Sequence, residues 1–226
     1  MLRERLSQVE ERIHNAAQRA GRRRSDITLI AVTKKFPAAL TLEAFGLGLR
    51  HFGENYVQEF EDKHPALAHL TVSGAEFHLI GHLQSNKARI AAQLFQVIET
   101  VDSEKLARRL DQNTSLGTPL EVMIEVKLSP EESKAGSAAD ALPALIDAIR
   151  KCANLRLTGL MTMPPWSDEP EQTRPYFRKL AALAHTQGLP KLSMGMSHDL
   201  EAAIEEGATH IRVGTALFGP RPKATP

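Results

Sequence analysis

The chain has 226 residues, of which 42% are hydrophobic and 24% charged, and its formal net charge is +1. A chain of this size can bury a large core without a structural metal or disulfides, and its small net charge gives no reason to expect a nucleic-acid partner. The single cysteine, Cys152, excludes an internal disulfide and indicates a reducing, cytoplasmic compartment. The charged amino-terminal helix precedes no apolar stretch, so we expect neither a secretory signal nor a membrane span.

Short apolar runs alternate with helical patterns along the chain. The predicted strands are residues 27–33, 50–53, 76–81, 96–101, 120–126, 156–161, 191–194 and 210–213. The predicted helices are residues 2–20, 38–46, 56–70, 85–93, 103–113, 138–152, 171–187 and 198–207. This α/β alternation predicts a parallel sheet with right-handed crossovers, closed into a (β/α)8 TIM barrel with an extra amino-terminal helix. An open doubly wound sheet is the alternative.

The sequence contains no internal repeat, low-complexity tract or linker that divides it. We therefore predict a single domain over residues 1–226, with the extra helix within residues 1–20. The proline-rich end, residues 220–226, is predicted to be a disordered tail.

The first predicted strand is apolar and ends on Lys34 and Lys35 instead of on turn residues. Such a run is typical of a strand that is buried on both faces. At the low-dielectric rim of a packed sheet an amine is disfavoured as ammonium, and its free base can attack an aldehyde. The alternative is a structural lysine whose stem packs while its head reaches water. Strand alternation does not distinguish Lys34 from Lys35, because both faces of the run are apolar.

Polar and glycine residues follow several predicted strands, where the functional loops of a barrel lie. Ser197 stands where the helix through Ala202 should begin, and Gly214-Thr215 follows the eighth strand. Hydroxyls, free backbone N–H groups and a glycine in the last two loops fit a phosphate, although an ordinary helix cap and turn explain them as well. Asp199 and Glu201 would repel a dianion, so this interpretation requires them to point outward.

An imine-forming lysine and a phosphate cradle at one barrel mouth suggest pyridoxal 5'-phosphate (PLP). The chain also resembles the pyridoxal phosphate homeostasis proteins, the YggS/PROSC family, which are similar to the alanine racemase barrel domain standing alone. The resemblance covers about residues 27–219, and Phe77 stands where the family has tryptophan. It rests on the motifs Ala31-Val32-Thr33-Lys34, Phe52-Gly53-Glu54-Asn55-Tyr56-Val57-Gln58-Glu59, His78-Leu79-Ile80-Gly81-His82-Leu83-Gln84-Ser85-Asn86-Lys87, Gly159-Leu160-Met161, Ser193-Met194-Gly195-Met196-Ser197 and Arg212-Val213-Gly214-Thr215-Ala216-Leu217-Phe218-Gly219.

The resemblance implies a protein that carries or buffers PLP in intracellular PLP homeostasis without substantial turnover. By the resemblance Lys34 forms a covalent imine with PLP, Asn55 and Met161 line the cofactor, and Arg212 faces the pyridine nitrogen. Ser197, Gly214 and Thr215 are the implied phosphate-binding residues.

A PLP-dependent racemase is the main alternative. A guanidinium only donates hydrogen bonds, so Arg212 favours an unprotonated ring, a weak electron sink that disfavours transaminase chemistry but that a racemase tolerates. A two-base racemase also needs a second acid or base, and the only tyrosines are Tyr56 and Tyr176, both with a structural explanation.

Two further classes of protein remain open. His78 and His82 are four residues apart and could mark a metal-dependent barrel hydrolase, but no carboxylate or further histidine stands at ligand spacing. We therefore expect no metal, and we expect both histidines to be hydrogen-bonding residues of the rim, with His78 near the cofactor. Alternatively, the barrel mouth docks PLP-dependent apo-enzymes. Apart from PLP and such enzymes we expect no nucleic-acid or membrane partner, and we expect a monomer.

Overall fold

Eight parallel strands close into a barrel in the computed structural model, which describes residues 1–115, 117–129 and 135–220. The barrel strands are β1 (Thr28–Val32), β2 (His51–Glu54), β3 (Glu76–Leu79), β4 (Val97–Val101), β5 (Leu120–Lys127), β6 (Leu155–Met161), β7 (Lys191–Met196) and β8 (His210–Val213). Each strand pairs in parallel with the next one, and β1 also pairs with β8. The predicted TIM barrel is confirmed, and the open sheet is wrong. A two-residue strand, Ser137–Ala138, extends the sheet beside β5.

Helices connect the strands on the outside of the barrel. Within the described residues they are α1 (Leu2–Arg19), α2 (Ala38–Gly46), α3 (Val57–Val72), α4 (Ala88–Leu94), α5 (Glu104–Asn113), α6 (Leu142–Arg150), α7 (Arg174–Thr186), α8 (Leu200–Glu205) and α9 (Thr215–Phe218). The sequence pattern did not predict the short α9. The predicted tail, apart from Pro220, lies outside the described residues. No helix in the described ranges is both long and apolar enough to cross a membrane.

The amino-terminal helix α1 packs on α8 and α9, the helices that follow the last two strands. Its buried residues include Val9, Ile13 and Ala16, whose spacing places them on one helix face. Arg12 on the same helix forms an ion pair with Glu201 of α8, with 2.7 Å between Nε and Oε1. Helix α1 therefore supports the part of the barrel that carries the predicted phosphate loops.

The core between sheet and helices contains an aromatic cluster around Phe77. The ring of Phe77 lies 4.8 Å from that of Phe60 and 5.7 Å from that of Phe52, and all three side chains are fully buried. Phe77 is thus packed on all sides, and its contact with Phe60 anchors β3 to α3.

Candidate functional site at the carboxyl end of the barrel

A cavity of about 580 Å³ opens at the carboxyl ends of the strands. Its apolar lining includes Val32, Phe36, Ile80 and Met163. Six of the seven predicted cofactor-binding residues also line it, namely Lys34, Asn55, Ser197, Arg212, Gly214 and Thr215. The structure therefore brings residues from both ends of the sequence to one pocket, as a closed barrel requires.

Met161 is the predicted site residue that does not line this cavity. It is fully buried at the end of β6, whereas Met163, two residues further along the chain, is exposed and belongs to the lining. Contact between Met161 and a cofactor stays a prediction. The exposed Trp166, which lies against His198 with 4.9 Å between ring centres, also borders the cavity, and the sequence analysis did not select either residue.

Lys34 is partly buried and lies in the turn after β1. The preceding residue, Thr33, is held by three hydrogen bonds. The backbone N–H of Thr33 donates to the carbonyl of Gly53 at 3.0 Å, and its hydroxyl donates to Glu54 Oε1 at 2.8 Å. The carbonyl of Thr33 accepts from Lys63 Nζ at 3.0 Å. These bonds fix the backbone immediately before Lys34.

The residue after Lys34 is held as well. Lys35 is exposed and has a φ of 63°, a left-handed conformation that non-glycine residues rarely adopt. Its backbone N–H donates to the Glu59 carboxylate, which also pairs with Lys63 at 2.6 Å. The turn thus directs Lys34 into the cavity and Lys35 to the surface, a choice that strand alternation had left open.

A buried carboxylate lies beneath this turn. Glu54 has no solvent exposure, and its Oε1 accepts from Lys63 Nζ at 2.9 Å. Burial raises the pKa of Glu54, and the charge of Lys63 partly offsets this effect. Lys63 therefore connects Glu54, Glu59 and the carbonyl before Lys34.

Asn55 and Gly81 meet just beyond the ends of the paired strands β2 and β3. A Cβ atom on Gly81 would lie 2.2 Å from the carbonyl oxygen of Asn55, so only glycine permits this contact. The side-chain oxygen Oδ1 of Asn55 is buried without a hydrogen-bond partner among the described residues. A buried polar atom normally has a partner, and here it belongs to a residue of the cavity lining.

Ser197 and the start of α9 lie on the predicted phosphate wall. Helix α8 begins only at Leu200 and Asp199 is its N-cap, so the expectation that Ser197 starts this helix is wrong. The Ser197 hydroxyl instead accepts from the backbone N–H of Ala216 at 3.2 Å. Its carbonyl accepts from Arg12 of α1 at 3.0 Å, which ties the loop to the amino-terminal helix.

The two acidic residues near this wall are both engaged. Glu201 pairs with Arg12, as its expected outward orientation allows. Asp199 is 3% exposed, and its Oδ1 accepts from the backbone N–H of Met196 at 2.7 Å. Asp199 thus turns into its own loop instead of toward solvent, and it does not line the cavity, so its carboxylate is not one of the groups that a phosphate there would meet.

Arg212 is a buried residue of the cavity lining, and two hydrogen bonds fix its guanidinium. Its Nη1 donates to the Ser193 hydroxyl at 2.6 Å, and its Nη2 donates to the carbonyl of Thr162 at 2.8 Å. Ser193 donates in turn to Glu99 Oε2 at 2.5 Å. Burial lowers the pKa of Arg212, while the charge of Glu99 raises it. The guanidinium is thus fixed in place, with donors remaining for a ligand.

Glu99 is the buried counter-charge of this network. Burial alone would raise its pKa, but the hydrogen bond from His78 Nδ1, at 2.8 Å, and the nearby positive charges lower it to about 2. The sequence analysis missed Glu99 and Ser193. A glutamate inside the apolar run of β4 was the available signal, because buried carboxylates in strands need a specific partner.

His78 and His82, the two ligands that a metal-dependent hydrolase would need, lie in different surroundings. His78 is buried inside the barrel, bonded to Glu99 and His51, and does not line the cavity. Its predicted place at the rim is therefore wrong. His82 is half exposed near Asp102, with 3.5 Å between Nδ1 and Oδ2. This geometry does not favour a joint metal site for His78 and His82.

Comparisons with known proteins agree with this architecture. The alanine racemase N-terminal domain family matches residues 5–222. A pyridoxal phosphate homeostasis protein from Pseudomonas aeruginosa is 46% identical over 226 residues, covering 99% of this chain and 97% of that protein. The chain belongs to the pyridoxal phosphate homeostasis protein family. The Escherichia coli K12 protein of the same name is 43% identical over 96% of this chain and 95% of its own length.

Solved structures extend the comparison. PipY of Synechococcus elongatus PCC7942, solved with PLP bound, is 39% identical and superposes with a TM-score of 0.82, covering 97% of this chain and all of that one. Alanine racemase from Corynebacterium glutamicum is 18% identical, with a TM-score of 0.66, and this chain covers 62% of it. The racemase therefore shares the barrel fold with this chain, and the rest of the racemase, beyond the matched 62%, has no counterpart in the match.

Proposed function

We propose that this chain binds PLP in the cavity at the carboxyl end of the barrel and carries or buffers it in intracellular PLP homeostasis. One observation carries the proposal: a single cavity of about 580 Å³ is lined by Lys34, the Ser197 and Thr215 loops and the buried Arg212. Its volume lies within the usual range of cofactor sites. The relatives named for PLP homeostasis and the PLP-bound PipY structure support the same conclusion.

The residues present fit this cofactor. The unpartnered Oδ1 of Asn55 offers a buried acceptor in the lining. The hydroxyls of Ser197 and Thr215, next to Gly214, are neutral donors of the kind that hold a phosphate. Val32, Phe36 and Ile80 supply an apolar wall for a flat ring. The cavity thus combines polar groups with an apolar wall, as a ligand with a flat ring and a charged tail requires.

Different residues of the chain hold different parts of the ligand. Lys34 presents its amine from a turn fixed by Thr33 and by the Lys35 backbone. When bound, PLP supplies an aldehyde that condenses reversibly with a primary amine, so that it can be retained and later released to another amine. Ser197, Gly214 and Thr215 hold the phosphate end, and Arg212 donates toward the ring.

The same residues support carriage without substantial turnover. Arg212 only donates hydrogen bonds, and its position favours an unprotonated ring nitrogen, which is a poor electron sink. Neither tyrosine lines the cavity: Tyr56 is the exposed N-cap of α3, and Tyr176 lies on the outer helix α7. The two-base racemase alternative therefore gains no support from their placement.

Covalent attachment tests the binding proposal. After incubation with PLP and reduction with borohydride, we expect one modified lysine per chain, found by peptide mass spectrometry at Lys34. Lys34→Ala should lose the modification, and Lys35→Ala, which changes the exposed neighbour, should keep it. Full modification of the Lys34→Ala protein at another site would contradict the assignment.

Isotope exchange tests the proposed lack of turnover. The PLP-loaded protein is incubated in deuterated water with single enantiomers of several amino acids. We expect slow α-proton exchange and no enantiomer interconversion. Rapid exchange together with interconversion would instead establish a racemase.

We also propose a cytoplasmic location, in keeping with the lone Cys152, and a monomeric state. PLP-dependent apo-enzymes are the proposed recipients of the cofactor. Sedimentation analysis tests the monomeric state. Transfer of PLP to a purified apo-enzyme at a higher rate than its release into buffer tests the proposed recipients.

A further inference from the structure

We propose that the amino-terminal end of the barrel, opposite the cavity, binds a divalent transition-metal ion such as zinc through His51, Glu76 and His78. One ligand atom of each residue lies within 4.8 Å of those of the other two. This proposal departs from our expectation of no metal, and none of the observations that support it depends on PLP binding.

The distances between the ligand atoms suit a tetrahedral ion. His51 Nδ1 lies 3.1 Å from His78 Nε2 and 3.7 Å from Glu76 Oε2. Zinc bonds of about 2.0–2.1 Å at tetrahedral angles separate neighbouring ligand atoms by roughly 3.3 Å. His51 therefore lies within a few tenths of an ångström of the required distance from both partners. The His78–Glu76 separation is at most 4.8 Å, and a movement of the partly exposed Glu76 side chain can close the difference.

Rigid strands hold all three ligands. His51 opens β2 and is the registered neighbour of Glu76, which opens β3. His78 follows Glu76 by two residues, so both side chains leave the same face of the strand. Phe77 between them points to the other face, into the aromatic cluster with Phe60. The ligand set thus depends on barrel register and not on a flexible loop.

A second carboxylate orients the central ligand. His78 donates from Nδ1 to Glu99 Oε1 at 2.8 Å, and His78 is 1% exposed. This bond leaves Nε2 as the nitrogen that offers a lone pair toward His51 and Glu76. A carboxylate behind a ligating imidazole is the usual arrangement in protein zinc sites, where it fixes ring orientation.

The surroundings allow an ion to enter. The side chains of His51 and Glu76 are 30% and 49% exposed, so water can reach the site and fill a fourth position. Lys191, which opens the non-adjacent strand β7, brings a positive charge to this end, but its Nζ donates to Glu121 at 2.5 Å. The carboxylates of Glu76 and Glu99 supply the opposing charge. Two imidazoles and one carboxylate favour zinc-like ions over calcium or magnesium.

Zinc binding to the full-length protein tests the site. Equilibrium dialysis against buffered Zn²⁺ at micromolar free concentration, followed by elemental analysis, should give one ion per chain. His51→Ala and Glu76→Gln, both at partly exposed positions, should each weaken binding at least tenfold, since loss of even a supporting group in a zinc site has an effect of about 10–100-fold. His14→Ala, on the exposed face of α1, is the matched control and should bind like the wild type.

X-ray absorption at the zinc edge gives a readout that does not depend on affinity. We expect two imidazoles among light-atom ligands in the wild type and one in His51→Ala. The proposal is overturned if the wild type takes up no zinc at micromolar concentration. It is equally overturned if His51→Ala and Glu76→Gln, folded by circular dichroism, retain the wild-type stoichiometry and affinity.

Discussion

Arg212 and Glu99 are oppositely charged residues inside the barrel that are joined through a single hydroxyl, that of Ser193. The hydroxyl accepts from Arg212 at 2.6 Å and donates to Glu99 at 2.5 Å, and the two charged side chains are 3% and 0% exposed. The functional cavity and the interior of the barrel therefore share one polar network. A substitution of Glu99 should therefore alter the hydrogen bonding and electrostatic environment of Arg212.

Glu99→Gln should lower the free energy of unfolding by about 3 kcal/mol or more, because it removes the main counter-charge of the buried Arg212. Urea denaturation at neutral pH measures the change. Glu104→Gln removes an exposed glutamate paired with Arg108 on α5 and should change stability by less than about 1 kcal/mol. Equal effects of the two substitutions would contradict the role assigned to Glu99.

Ser197→Ala should weaken binding of PLP about 10- to 100-fold, in line with about 1.5–3 kcal/mol for a hydrogen bond to a charged group. Binding of pyridoxal, which lacks the phosphate, should change little, because Ser197 is assigned to the phosphate end. Fluorescence titration of both ligands measures the ratio. Ser73→Ala, on the exposed end of α3, serves as the control. A similar loss for both ligands would show that Ser197 acts on the fold and not on the phosphate.

Lys63→Met should destabilise the protein by about 2 kcal/mol or more and slow the covalent modification of Lys34. The substitution removes the partner of the buried Glu54 and the bond to the Thr33 carbonyl. Chemical denaturation and the time course of borohydride-trapped labelling measure the two effects. Lys179→Met changes an exposed lysine of α7 and should alter neither. If Lys34 is labelled in Lys63→Met at the wild-type rate, Lys63 does not position Lys34.

Much of this architecture could be predicted from the sequence, because a parallel barrel leaves a strong pattern. Each strand is a short apolar run, since it is covered on both faces, and each crossover carries a helical period. The barrel rule then predicts that the carboxyl ends of the strands form the site, and the family resemblance selects Lys34, Asn55 and Arg212 there. Resemblance to a family was needed to choose Lys34 over Lys35, because the turn that separates them depends on Glu59, a residue of the next helix but one.

The parts that could not be predicted depend on contacts distant in sequence. Glu99 is bonded to His78 and Ser193, which lie 21 and 94 residues away. The start of α8 was misplaced because Asp199 and Met196 close a turn before it: Asp199 accepts the Met196 N–H on its side chain and donates its own N–H to the Met196 carbonyl, so the helix begins only at Leu200. Met163 and Trp166 follow β6 in a loop with no regular period, so no pattern identified them as cavity residues.

Gly81→Ala should destabilise the protein and weaken PLP binding, because its new Cβ would meet the carbonyl oxygen of Asn55 at 2.2 Å. The backbone of Asn55 would have to move away from the cavity. Gly46→Ala is the matched control: Gly46 ends α2 and a Cβ there meets nothing within 4 Å, so alanine should be neutral or stabilise by up to about 1 kcal/mol. Thermal unfolding and ligand titration compare the two variants. Unchanged stability in Gly81→Ala would show that the loop relaxes freely.

His210 should make the stability of the protein fall as the pH is lowered from about 6.5 to about 4. Burial, the largest cause, lowers the pKa of this histidine to about 4, although the charge of Glu99 opposes the shift. Between these pH values the unfolded chain binds a proton at this position and the folded chain does not, so acid favours unfolding. At about 1.4 kcal/mol per pH unit, the full loss is about 3 kcal/mol. Urea denaturation across this range should therefore give a steeper decline for the wild type than for His210→Gln, which cannot take up the proton. Parallel curves for the two proteins would contradict the assignment, whatever other groups titrate in the same range.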